Sequence, residues 1–171
     1  MSKFKFKRSG ISPAELAKRI KQVSMQEAAL VISETTLDNI AEGFSGSHAP
    51  DGTPWPDLVL RDGNPLEDTG GLRDGWQRGD VSAGQAEVEN LKDYAEAHQR
   101  GTGVYGPKRK RIRPVKSFAL RVPTKSGPMF FTSVKGTPRR KMVPDPNEPI
   151  PKAWKEAYDG AVQEYLDEIL N

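Results

Sequence analysis

The stretch Leu66-Glu67-Asp68-Thr69-Gly70-Gly71-Leu72-Arg73-Asp74-Gly75-Trp76 is a tight paired-glycine turn, and the rest of the chain reads outward from it. Asp68 or Thr69 can bond back to its own backbone or cap the Gly70-Gly71 turn, since short polar side chains satisfy backbone groups that turns leave open. Beyond the turn, the pattern predicts a short strand over 72–78, a turn at Ser82-Ala83-Gly84 and a second strand over 85–91, with Ala86 and Val88 on one face. A short helix over 92–100 follows, stopped by Gly101, with Tyr94 and His98 one turn apart on the same side.

Upstream, residues 44–71 carry turn signals at Ser45-Gly46-Ser47, Asp51-Gly52-Thr53-Pro54 and Asp62-Gly63-Asn64-Pro65, which predict a long loop. Trp55 sits between two prolines that hold it extended, so it either plugs the domain's own core or anchors a partner. Before this loop, Ser12-Pro13-Ala14-Glu15 is a helix start with an N-cap and proline at the first helical position. Leu16, Val23, Leu30, Leu37 and Phe44 recur every seven residues, which predicts one long helix over 12–43 ended by Gly43. Glu27 and Glu34 occupy the places where a coiled coil needs its second apolar position, so a helix packed on a sheet or neighbour is expected. Residues 1–11, with Phe4 and Phe6 alternating with lysines, read as a flexible arm or short edge strand.

Downstream, residues 102–149 are expected to form basic loops and a hairpin, its strands carrying Phe118, Leu120, Val122 and then residues 129–134, joined by a six-residue loop over 123–128. The chain closes with a helix over 150–171 whose stripe is Trp154, Tyr158, Ala161, Tyr165 and Ile169. The expected fold is α+β in a single domain. A long N-terminal helix and a C-terminal helix pack around a small antiparallel sheet, with an extended basic hairpin.

The 171 residues suffice for one domain with its own core. With 35% apolar residues and a mean hydropathy of -0.68, part of the chain is expected to order against partners. Net charge is +3, yet residues 101–141 hold twelve Lys or Arg and no acid, leaving the remainder at -9. This asymmetry points to nucleic acid or to acidic faces of neighbouring subunits. The chain has no cysteine, which excludes disulfides and thiolate metal sites. Lys3, Lys5, Lys7 and Arg8 are not followed by an apolar run, so no signal peptide is expected. No stretch approaches the ~20 apolar residues of a membrane helix, so the protein is expected to be soluble, without a membrane partner.

Catalysis finds little to work with, because His48 and His98 are the two histidines. His48 lies in a Ser/Gly/Pro loop, and His98 reads as a packed or hydrogen-bonded side chain rather than a ligand. No Gly-x-Ser-x-Gly presents a nucleophile, and Gly70-Gly71 lacks the glycine spacing and lysine of a phosphate loop. Glu67, Asp68 and Asp74 could gather a divalent ion for phosphodiester cleavage, but a turn-and-cap role is the stronger reading. No catalytic residue, cofactor or metal is expected.

Three ordered landmarks carry a family likeness: Asp51-Gly52-Thr53-Pro54-Trp55, then residues 66–73, then Tyr94-Ala95 with His98-Gln99 and Gly101. In order and spacing they resemble the phage virion morphogenesis proteins, also called tail completion or head-to-tail joining proteins. Where that family has an Arg-Pro-aromatic segment before the final helix, this chain has Arg139-Arg140-Lys141-Met142-Val143-Pro144. The resemblance implies a structural virion protein of the neck or tail terminus, assembled in the host cytoplasm as a homo-oligomeric ring, a hexamer being the form the family suggests. Its implied partners are connector or neck proteins and tail tube proteins. Trp55, Thr53, Leu58 and Leu66 are the expected subunit contacts. Lys108, Arg109, Lys110, Arg111, Arg113, Arg139, Arg140 and Lys141 are expected to meet a neighbour's acidic surface or passing DNA. The alternative is a non-specific DNA-binding protein using residues 101–141.

Overall fold

The computed structural model describes residues 12–60 and 62–170; the N-terminal arm expected over 1–11 lies outside them. Two helices, α1 (Pro13–Ile20) and α2 (Met25–Gly46), replace the single helix expected over 12–43. Ser12 caps α1 by accepting the Glu15 N–H at 3.1 Å, and Ser24 repeats the device by accepting the Glu27 N–H at 3.2 Å. Ser24 has extended backbone angles, and its own N–H donates to the Tyr165 hydroxyl at 3.0 Å, so the break is fixed by the C-terminal helix. The heptad pattern fails because Leu16 and Val23 precede this break. In α2 the buried positions are Ala29, Ser33, Ile40, Gly43 and Phe44, while Leu30 and Leu37 are half-buried.

Helix α2 runs past Gly43 to Gly46, where Ser47 turns left-handed. Residues 44–71 are not a free loop. His48 bridges Pro54, the Ala49 N–H donates to Thr53 O at 2.8 Å, and the Trp55 N–H donates to Ser47 O at 2.9 Å. This small turn drives Trp55 back against Phe44, edge to face at 5.3 Å.

The first hairpin pairs β1 (Trp76–Ser82) with β2 (Gln85–Asn90), with an irregularity between Arg78 and Val81. The strand begins later than the sequence suggests because residues 71–75 remain in turns, delivering Leu72 to the core. Helix α2 packs on both strands, and α4 (Lys152–Leu170) packs on α2 and α1. The expected stripe of α4 faces inward, with Trp154 buried and Tyr158 hydrogen-bonded to Thr36 Oγ1 at 3.0 Å. Between the hairpins lie α3 (Ala95–Arg100) and one 3-10 turn, Gly103–Tyr105.

A second, separate hairpin joins β3 (Leu120–Thr124) and β4 (Gly127–Phe131), so the fold is α+β with a small antiparallel sheet and a hairpin apart from it, as expected. Its connection is two residues, not six, since Thr124 pairs with Gly127 and Pro123 faces Pro128. Two prolines facing each other across a ladder forfeit no bond where neither N–H is needed. Phe118 lies before the strand and is 94% exposed.

Candidate interaction surface

The core fixes what remains available at the surface. Phe44, Trp55, Leu66, Leu72, Met142 and Trp154 belong to one buried cluster. Trp55 is 5% exposed, and its indole N–H donates to Lys141 O at 2.8 Å. Of the expected subunit contacts, Trp55 and Leu66 are therefore core residues with no surface to offer a neighbour. Thr53 is exposed, its N–H donating to Asp51 Oδ1 at 2.9 Å, and Leu58 is half-buried.

The landmarks at Trp55 and Gln99 converge on residues 139–143. Gln99 Oε1 accepts the Met142 N–H at 2.7 Å, its Nε2 donates to Val143 O at 2.7 Å, and the Arg140 N–H donates to His98 O at 2.9 Å. Arg140 is 3% exposed, so it is not part of a charged surface. Its guanidinium donates to Pro56 O at 2.9 and 2.6 Å and to Asp57 O at 3.2 Å, in keeping with the rule that a buried cation must be hydrogen-bonded. Arg140, expected at the charged surface with its neighbours, is instead buried, and Gln99, a sequence landmark, is what fastens residues 142 and 143. The interruption of a basic run by an apolar core residue, Met142, was the available signal.

Arg139 and Lys141 are spent locally. Arg139 pairs with Asp145, and Lys141 pairs with Asp145 and Glu148. The Arg139 guanidinium holds the Asp145 carboxyl below the usual carboxylate range, and the Glu148 carboxylate raises the Lys141 ammonium. Lys125 pairs with Asp62.

Eight of the twelve cations of residues 101–141 carry no ion pair among the described residues. Lys108, Arg109, Lys110, Arg111 and Arg113 are five of these, all exposed. They are nevertheless not on a free loop. The Thr102 N–H donates to Thr137 O at 2.9 Å and the Val104 N–H to Lys135 O at 2.8 Å, while Ile112 and Val134 exchange two bonds of 2.9 Å. Gly103 (φ +62°) and Gly136 (φ +97°) permit this junction: a Cβ on Gly103 would run into Lys135 O, and one on Gly136 into Thr102 O. Arg111 Nε adds a 3.1 Å bond to Ser133 Oγ, and Arg109 takes a left-handed φ of +47°.

Two concavities flank this strip and share Thr102 and Ile112. One, of about 420 Å³, is walled by Gly101, Gly103 and Gly106 and rimmed by Lys108, Lys110, Arg111 and Arg113. The other, of about 890 Å³, is an apolar groove whose lining includes Val59, Leu60, Tyr105, Ile112, Val122 and Val134. Val59 is 87% exposed, and Phe130 nearby in sequence to the β3–β4 turn is 67% exposed.

Among the described residues, no group of three or more His, Cys, Asp or Glu side chains could hold a metal ion. Glu67 and Asp74 instead flank Arg73 in ion pairs. No helix among the described residues is long and apolar enough to cross a membrane. Compared with known protein families, with curated proteins and with solved structures, the chain matches none.

Proposed function

We propose that this chain is a non-enzymatic structural subunit of a bacteriophage virion, located at the neck or tail terminus. Copies close into a ring, a hexamer in the form the sequence resemblance suggests, that completes the tail and joins it to the head. Connector or neck proteins lie on one side and tail tube proteins on the other. The observation that carries the reading is the apolar groove beside the basic strip. An isolated copy leaves Val59, Tyr105 and Ile112 in water, and covering apolar surface is worth about 25 cal/mol per Å².

A second copy suits the groove because the charges of the chain are segregated. Helices α2 and α4 together carry nine carboxylates and two lysines, a net -7, whereas the groove, whose own lining holds one charge of each sign in Asp57 and Lys135, lies beside the basic strip. One face meeting a different face is the heterologous contact that closes rings. The ordered sequence landmarks add the likeness to tail completion proteins. Their residues build the core that holds the 139–143 segment, as a fold-defining motif would.

The test is electron microscopy of lysates from a phage with an early stop codon in this gene. Filled heads beside separate, unjoined tails are expected. Intact infectious virions would overturn the reading.

A further inference from the structure

We propose that the glycine-walled cavity of residues 101–113 is a nucleic-acid phosphate site, at which the chain grips a duplex backbone without reading its sequence. The cavity holds about 420 Å³, room for a phosphate with its sugar, and Lys108, Lys110, Arg111 and Arg113 stand around its rim. Four like charges around one concavity repel one another, and no acid within residues 101–141 relieves them. An anion does. Gly101, Gly103 and Gly106 contribute backbone to the cavity wall.

The rim is also preorganised. Backbone pairing of Thr102 with Thr137, Val104 with Lys135, and Ile112 with Val134 fixes the strip before any ligand arrives, so little ordering entropy is lost on binding. The cations sit on loop and turn, and no helix among the described residues presents them for entry into a major groove, which makes phosphate contact the mode of binding rather than base readout.

A nucleic acid fits better than the acidic layer of a second copy. Of the nine carboxylates on α2 and α4, Glu34 and Glu156 are already paired with Arg78 and Lys152. The seven that remain do not match the eight cations that carry no ion pair among the described residues, whereas duplex DNA offers a charge about every 1.7 Å of its axis. This inference stands apart from the ring reading, because the cavity is complete within one copy.

The experiment measures anisotropy of a labelled duplex of arbitrary sequence with the purified full chain, across salt. With four or more phosphates neutralised, affinity is expected to fall about 100-fold or more between about 50 and 200 mM salt. The quadruple variant Lys108→Gln/Lys110→Gln/Arg111→Gln/Arg113→Gln is expected to flatten the log–log salt slope by about 3 to 4. A variant with the same charge removed from α1, its C-cap and α4, Lys18→Gln/Lys21→Gln/Lys152→Gln/Lys155→Gln, is expected to keep the wild-type slope. Should the quadruple variant fold poorly, Lys108→Gln/Lys110→Gln removes two exposed side chains and is expected to flatten the slope by about 2. No binding by the wild type, or equal losses in the rim and helix variants, would overturn the proposal. So would displacement of the duplex by polyglutamate as readily as by unlabelled DNA, which would assign the site to an acidic protein.

Discussion

The layer formed by α2, α4 and the first hairpin buries Phe44, Trp55, Leu72 and Trp154 against one another, whereas residues 102–138 keep their shape through backbone bonds and leave Val115, Phe118 and Phe130 in water. Both regions belong to the same chain, and they are held by different physics. In the first, aromatic burial supplies the stability, and substitution there is felt by the whole fold. In the second, glycines bring two backbone segments together and many side chains are left exposed. The 139–143 segment joins the two, fastened by Trp55, Gln99 and Arg140.

The contrast is broken most sharply at Trp55. Trp55→Ala removes a buried aromatic and an indole bond to Lys141 O, and is expected to cost about 3–5 kcal/mol of unfolding free energy in urea. Unchanged stability would mean that Trp55 is a surface anchor after all. Next in size is Gly136→Ala, which meets Thr102 O at a left-handed φ of +97°. Its expected cost is about 1–3 kcal/mol, confined to the basic region. Hydrogen exchange should quicken at the Val104 and Val134 amides and stay unchanged at Phe44. Quickening at all three would show that the regions are one cooperative unit.

The smallest effect is the pH dependence of the seam. Arg139 lowers the Asp145 carboxyl in the folded state, so its contribution is fully present above the unfolded carboxylate value and is lost as pH falls through the folded one. Asp145→Asn is therefore expected to lower stability slightly at neutral pH and to change nothing at the acid end of a melting series. An equal loss at every pH would assign the Asp145 contribution to packing.

Much of the first region was legible in sequence. The proline-started cap at Ser12, the α4 stripe from Trp154 to Ile169 and the first hairpin announce themselves through local chemistry. The helix break was legible as well, in Ser24-Met25-Gln26-Glu27, but a seven-residue apolar repeat running across it masked the second cap. Trp55 was ambiguous because two prolines fix only an extended backbone, and whether the ring turns inward depends on the Ala49–Thr53 bond and on Lys141, many residues away. The charge of residues 101–141 could be counted, yet its division into Arg140 buried, Arg139 and Lys141 paired, and Lys108 to Arg113 open is a matter of long-range contacts. The close approach of Gly103 to Gly136 is likewise set by tertiary pairing that no local pattern encodes.

The most direct test of the proposed ring is the solution mass of the purified chain beside that of Val59→Asp/Leu60→Asp. Both side chains are exposed, so the double variant is expected to melt within about 0.5 kcal/mol of the wild type. The wild type is expected to run as a closed multiple of its 18.9 kDa mass and the variant as a monomer. A wild type that stays monomeric at every concentration, or a variant that assembles equally well, would contradict the assignment of the groove to a second copy.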